Sequence, residues 1–240
     1  HYDLSNDLFT LFLDETLTYS AANFGSDEAT FNNLAKAQIR KIENVLDFAG
    51  VKPGMHILEI GTGWGQLAMQ AAYRGAKVHT ITLSKEQKEL AEARIAKASL
   101  SNLITVELRD YRDLEGQYDA VVSVEMIEAV GEKYWPTYFA AISKHLKPGG
   151  RFGLQAITMP HDRLMASKHA YTWIHKYIFP GGIIPSREVI DQFTKSTMKL
   201  VDSRPLGPDY GVTLKLWRER FMKNFEAVKA LGFDDEFGRM

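Results

Sequence analysis

Between residues 28 and 49, apolar side chains recur at helical spacing: Phe31, Leu34, Ile39, Ile42, Val45 and Leu46, with Gly50 placed to end the helix. After residue 50 the pattern changes to short apolar runs separated by longer polar stretches. The runs predict strands at 56–60, 77–82, 104–108, 119–124 and 151–158, and helices fit between them at 66–74, 85–98 and 134–146. Lys147-Pro148-Gly149-Gly150 reads as a turn ahead of the fifth strand. This alternation predicts an α/β fold, a doubly wound and mostly parallel sheet.

The flanks read differently. Residues 1–25 mix aromatics (Tyr2, Phe9, Phe12, Tyr19, Phe24) with polar groups and suggest short helices or a lid. Residues 159–205 suggest a cap inserted after the sheet. A second amphipathic helix is expected at 213–231, with Leu214, Trp217, Phe221, Phe225 and Val228 on one face. Residues 1–240 are thus read as one domain: a lid, a ligand-binding core at 28–158, the cap, and a carboxy-terminal helical segment at 206–240.

Composition narrows the class. Hydrophobic residues make up 45% of the 240 and charged residues 25%, as in an ordinary globular enzyme. The net charge of −1 gives no global field for nucleic acid, and the absence of cysteine excludes thiol catalysis and disulfides. No apolar run approaches the roughly 20 residues that span a bilayer. The histidines show no metal-ligand spacing, so no metal is expected.

The strongest motif is His56-Ile-Leu-Glu-Ile-Gly-Thr-Gly-Trp-Gly65, an apolar strand that runs into a glycine turn. Gly61, Gly63 and Gly65 let the chain turn sharply and let a ligand approach the backbone. Such loops hold nucleotides at the carboxyl end of a first parallel strand. The spacing is G-x-G-x-G, not the dinucleotide G-x-G-x-x-G, and with acidic Glu59 before the turn it suits S-adenosylmethionine better than a pyrophosphate. After the second strand come Thr82, Leu83 and Ser84; no acid stands there for a ribose, so Gln87 is the candidate. Ser84-x-x-Gln87 is equally a capping box. After the third strand, Asp110 can accept from an adenine amine and Tyr111 can flank the ring.

After the fourth strand, Glu125 and Glu128 stand three residues apart where α/β folds keep a reacting centre. An acid at a helix amino terminus explains either of them equally well. The segment 171–180 is aromatic and mildly basic, with Arg163, Lys168 and Lys176 in or near it, which suits a lipid interface. The commoner arrangement for such a segment is a cap helix that packs its aromatics inward.

Taken together, these stretches resemble the cyclopropane fatty acid synthases, S-adenosylmethionine-dependent methyltransferases of lipid double bonds. The matching residues are His1-Tyr2-Asp3 with Asn6, Leu17-Thr-Tyr-Ser-Ala-Ala-Asn-Phe24, the glycine loop, Thr82-Leu-Ser-Lys-Glu-Gln87, Asp110-Tyr-Arg-Asp113, the run 122–131, Leu146-Lys-Pro-Gly-Gly150 and Tyr210-x-x-Thr-Leu214. They cover nearly the whole chain in order. Against the family pattern the chain looks trimmed at both ends.

The resemblance implies cofactor contacts at Tyr19, Ser20, Gly61, Gly63, Thr82, Leu83, Gln87 and the turn Asp110-Tyr111-Arg112, with Glu59, Trp64 and Gly65 in the same loop. It implies a bicarbonate ion as general base, lined by Ala21, Glu128, Gln155, Ile157 and Tyr210. Ala21 replaces a common Cys, Gln155 a His and Ala129 a His; Gln155 donates a hydrogen bond but cannot titrate. The segments 154–162 and 173–182 resemble an actinobacterial branch, some members of which form a methylene-branched chain instead of a ring. The implied partners are an unsaturated phospholipid or fatty acyl chain, transient contact with the inner membrane face from the cytoplasm, and a homo-oligomer or partner reductase.

The chemistry follows from the substrate. An alkene is a weak nucleophile, so a methyl donor must be held close and in line. Aromatic faces from the set Tyr2, Tyr19, Trp64 and Tyr210 can stabilise the resulting cation, and a base then removes a proton. Two rival classes remain, an NAD-dependent oxidoreductase and a non-catalytic cofactor- or lipid-binding subunit. Nicotinamide binding and turnover of labelled methyl discriminate them.

Overall fold

A computed structural model describes residues 5–239; Tyr2, expected in the lid, lies outside them. Five parallel strands form one sheet in the order β3-β2-β1-β4-β5. They are β1 (His56–Ile60), β2 (Lys77–Thr82), β3 (Ile104–Leu108), β4 (Tyr118–Val124) and β5 (Leu146–Gln155). Before the sheet come α1 (Asn6–Phe12) and α2 (Phe31–Phe48); α3 (Gln66–Tyr73), α4 (Lys85–Lys97), the single turn α5 (Ile127–Val130) and α6 (Trp135–His145) lie between strands. The doubly wound α/β expectation therefore holds. The strand order reverses at β1, which puts a crevice between the carboxyl ends of β1 and β4.

Alternation along the strands builds two cores. Ile57, Val78, Ala120 and Val122 face α2, α3 and α4, while Leu58, Ile60, Ile81 and Val121 face α6. Helix α2 lies close on β5: a Cβ on Gly153 would stand 2.7 Å from the Val45 carbonyl oxygen. A third apolar cluster, with Phe9, Leu13, Phe24, Trp64 and Trp217, fastens the amino-terminal lid over the carboxyl end of β1.

Three expectations about elements need correction. Residues 147–150 do not precede β5 but form an excursion inside it, since Leu146 already pairs with Tyr118 and Arg151 pairs with Ala120. Strand β5 stops at Gln155, not 158, because beyond it the Ile157 N–H turns to the Glu128 carboxylate. The helix expected at 213–231 starts earlier and is split, into α10 (Gly207–Lys223) and α11 (Phe225–Ala230). Asn224 at the break sends its side-chain amide to the Leu11 carbonyl, 2.6 Å away, tying the carboxy-terminal segment to the lid.

The cap contains α7 (His161–Ser167), α8 (Trp173–Tyr177) and α9 (Arg187–Thr194); α12 (Asp235–Arg239) ends the described chain. The cap does not pack the aromatics of 171–180 inward. Tyr171 is 77% exposed, and Trp173 and Tyr177 are each 48% exposed.

Candidate active site

The glycine turn leaves β1 with Gly61 at φ +99°, Gly63 at +52° and Gly65 at +85°, conformations in which a Cβ is strained. The three glycines have different uses. A Cβ on Gly63 would meet nothing within 4 Å, so the backbone there faces open space, whereas a Cβ on Gly65 would stand 3.3 Å from that of Ala91. Gly65 serves the packing of α4 against the loop and does not line the crevice. Gly61 and Gly63 do, as part of a cavity of about 620 Å³ over the carboxyl ends of the strands.

Glu59 reaches this cavity from β1 and accepts a hydrogen bond from Thr80 Oγ1 at 2.6 Å. Burial raises its pKa from 4.5 to about 8, against the opposing effect of the Thr80 hydroxyl. At the end of β2, Gln87 is both a cap residue and a cavity residue. Its N–H donates to Ser84 Oγ at 3.2 Å, and its side-chain oxygen accepts from Thr82 Oγ1 at 3.0 Å. The side-chain NH2 is left without a protein partner among the described residues. Leu83 is exposed beside it and forms part of the rim.

At the end of β3, Asp110 accepts from the Arg112 N–H and guanidinium, at 2.9, 2.9 and 2.7 Å. The Arg112 hydrogen bonds hold its carboxyl below the usual carboxylate range. Asp110 thus comes to the cavity already oriented, with Tyr111 beside it edge-on to Tyr138. From the lid come Tyr19 and Ser20, and from the glycine loop Trp64. Tyr19 stacks on Trp217 at 5.2 Å, and Trp64 Nε1 donates to Asn6 at 2.7 Å.

The predicted catalytic set gathers behind the cavity wall, and one residue not assigned from the sequence organises it. Glu125, directly after β4, lines the cavity at φ +48°. Its Oε1 accepts from the Ala21 N–H at 2.9 Å and from Gln155 Nε2 at 2.8 Å; its Oε2 accepts from the Tyr210 hydroxyl at 3.1 Å. Burial, then the Glu125 charge, raises the Tyr210 pKa, so its hydroxyl stays a donor. Glu128 stands apart from this cluster. It accepts from the Ile157 N–H, its Oε2 is buried without a partner, and burial lifts its pKa to about 7. None of Ala21, Glu128, Gln155, Ile157 and Tyr210 lines the cavity itself. A residue that the sequence reading passed over is Lys41 on α2, buried yet part of the cavity lining.

Comparison with known proteins gives a consistent picture. The sequence model of the mycolic acid cyclopropane synthetase family matches residues 1–240. A tuberculostearic acid methyltransferase of Mycobacterium tuberculosis is 53% identical over 246 residues, covering 100% of this chain and 58% of the relative. The cyclopropane-fatty-acyl-phospholipid synthase of Escherichia coli K12 is 39% identical over 241 residues, covering 100% of this chain and 60% of the relative. The chain therefore spans about three-fifths of the length of these relatives. Among solved structures, a mycolic acid cyclopropane synthase complexed with SAH and CTAB superposes with a TM-score of 0.90 at 31% identity, covering 100% of this chain and 87% of that one.

Proposed function

The chain belongs to the mycolic acid cyclopropane synthetase family, and on that premise we propose that it is an S-adenosylmethionine-dependent C-methyltransferase. Its substrate in this reading is the cis double bond of an unsaturated fatty acyl chain in a phospholipid. The observation that carries the reading is Glu125, a carboxylate with three converging donors in the wall of a cofactor-sized cavity.

The residues present fit the cofactor. Asp110 suits the adenine amine, the free NH2 of Gln87 a ribose oxygen, and the open backbone at Gly63 close approach of the ligand. Tyr19 and Ser20 close the methionine end. When bound, the cofactor supplies an electrophilic methyl group to the alkene, which leaves a cationic carbon on the acyl chain. The rings of Tyr19 and Trp64, which line the cavity, suit such a cation. The lid cluster around Phe9 and Trp217 keeps water away from it.

A proton must then leave the acyl chain. In this reading Glu125 takes it, with Ala21, Gln155 and Tyr210 holding the carboxylate in place. These three are among the groups that the family resemblance assigns to a bicarbonate ion. Here their hydrogen bonds go to a side chain of the protein, and in this reading Glu125 takes the place of the ion. Loss of the proton from the new methyl closes a cyclopropane; a hydride shift followed by loss from the methyl gives an exocyclic methylene. We favour the methylene product, because the base is fixed to the chain at one position beside the cation. Such a product is itself an alkene, and a separate reductase would have to add two hydrogens to make a methyl branch.

The test is to supply the intact protein with oleoyl phospholipid and methyl-labelled S-adenosylmethionine and to analyse the acyl chains by mass spectrometry. Label in a methylene-branched chain is the expected result. Label only in a cyclopropane removes the product assignment, and no label in lipid removes the methyltransferase reading.

A further inference from the structure

Lys41 is a buried cation for which the reaction above has no use. It is 1% exposed on the inner face of α2, where Gln38, Ile42 and Val45 are its neighbours along the helix. Its Nζ donates to Ser20 Oγ, and it forms part of the cavity wall with Tyr19, Ser20 and Gly61. An ammonium has three donors, and burying one is expensive unless its charge is met. Bracing the lid does not account for it. Gln38 already donates to the Ser20 and Thr18 carbonyls at 2.8 and 3.3 Å, and a neutral donor would serve the Ser20 hydroxyl as well.

The other cations that line the cavity are committed. Arg112 is paired with Asp110, and Arg109 with Glu107 at 2.8 Å. Among the described residues, Lys41 has no carboxylate paired with it. Glu125 and Asp14 act on it only through space; burial dominates and pulls its pKa down to about 8. The cavity is otherwise lined by acids, namely Glu59, Asp110 and Glu125. Of these, Asp110 is already matched by Arg112 and burial favours the neutral form of Glu59, so Glu125 is the acid left to repel the cofactor's only anionic group.

We infer that Lys41 binds the α-carboxylate of the cofactor's methionine end, with Ser20 held between them as a shared hydrogen-bonding partner. This rests on the cofactor reading proposed above. The carboxylate supplies the missing counter-charge, and Lys41 makes the site selective for the intact amino acid. The pairing also separates the cofactor carboxylate from Glu125, whose charge is needed for the proton.

Calorimetry with two ligands tests the inference: S-adenosylhomocysteine, and its decarboxylated analogue, which lacks only that group. The wild-type protein should bind S-adenosylhomocysteine at least ~10-fold more tightly, the scale of a charge-assisted hydrogen bond. Lys41→Met should lose that preference through weaker binding of S-adenosylhomocysteine alone, and Lys41→Arg should retain part of it. Equal wild-type affinity for the two ligands overturns the inference, as does a Lys41→Met variant that keeps the preference or weakens both ligands alike. A wild type that binds neither overturns the cofactor reading itself. Should Lys41→Met not fold, Ser20→Ala decides: a preference that survives without the hydroxyl supports Lys41, and one that vanishes assigns the carboxylate to Ser20.

Discussion

Glu125 adopts φ +48°, a region that a non-glycine residue enters at a cost of about 1–3 kcal/mol. Three hydrogen bonds to its carboxylate hold it there, and the turn aims the side chain across the end of the sheet toward Ala21 and Tyr210. Glu125→Gln keeps the shape and removes the basic oxygen. Turnover of labelled methyl should fall by at least ~10²-fold, with S-adenosylhomocysteine affinity nearly unchanged. Retained turnover would move the base elsewhere, with Glu128 the next candidate. Glu59 makes a separate prediction about stability. Its folded pKa of about 8 lies above its ordinary 4.5, so the folded state holds a proton that the unfolded chain releases. Stability of the ligand-free protein should therefore fall as pH rises from about 4.5 to about 8. Glu128, raised to about 7, acts in the same direction. Urea unfolding of the wild type and Glu59→Gln at pH 5.5 and 8.5 checks this: the variant should lose clearly less stability between the two.

At the scale of elements, the cap and the carboxy-terminal helices matter most. Helix α8 is short, and Trp173 and Tyr177 on it are half exposed, with Tyr171 and Ile174 also open and Lys176 over the Tyr177 ring at 4.8 Å. Among the described residues no helix is long and apolar enough to cross a membrane. Exposed aromatics beside lysine suit a surface that rests in a lipid interface, and we propose that the enzyme takes its substrate there. Trp173→Ser with Tyr177→Ser should reduce co-sedimentation with anionic oleoyl vesicles several-fold and leave S-adenosylhomocysteine affinity unchanged. Unaltered sedimentation would put membrane contact on another face. The split between α10 and α11 falls at Asn224, whose side chain is bonded to the distant Leu11. The apolar spacing runs through residue 224 and carries no sign of that long-range bond.

At the scale of the molecule, the lid, the glycine loop and the ends of β2, β3 and β4 surround one cavity. A ligand that joins them stabilises the folded state through linkage. S-adenosylhomocysteine at 100 times its Kd should add about 2.7 kcal/mol, which raises the melting temperature by roughly 5–10 °C for a domain of this size. A melting curve that does not respond to saturating ligand would mean that the cavity is not the cofactor site.

The sheet, its five strands and the position of the ligand crevice are legible in the chain itself. The central strands of a parallel sheet are buried on both faces and read as near-continuous apolar runs, and the glycine turn follows the first of them. The residues proposed to hold the cofactor, Gly61, Gly63, Gln87 and Asp110, are legible for a related reason, since each lies within five residues of a strand's carboxyl end. Tertiary structure alone decides the rest. The sequence shows Glu125 and Glu128 as a pair at the end of β4 but not which of them meets the cavity; that depends on a backbone twist and on donors from residues 21, 155 and 210. Lys41 does leave a trace, a charge at an apolar position of the α2 pattern, yet its partner Ser20 lies on another segment. Hydrophobic periodicity reports which face of an element is buried. It does not report what stands opposite, and the chemistry of this site consists of groups that meet only when distant segments close on one another.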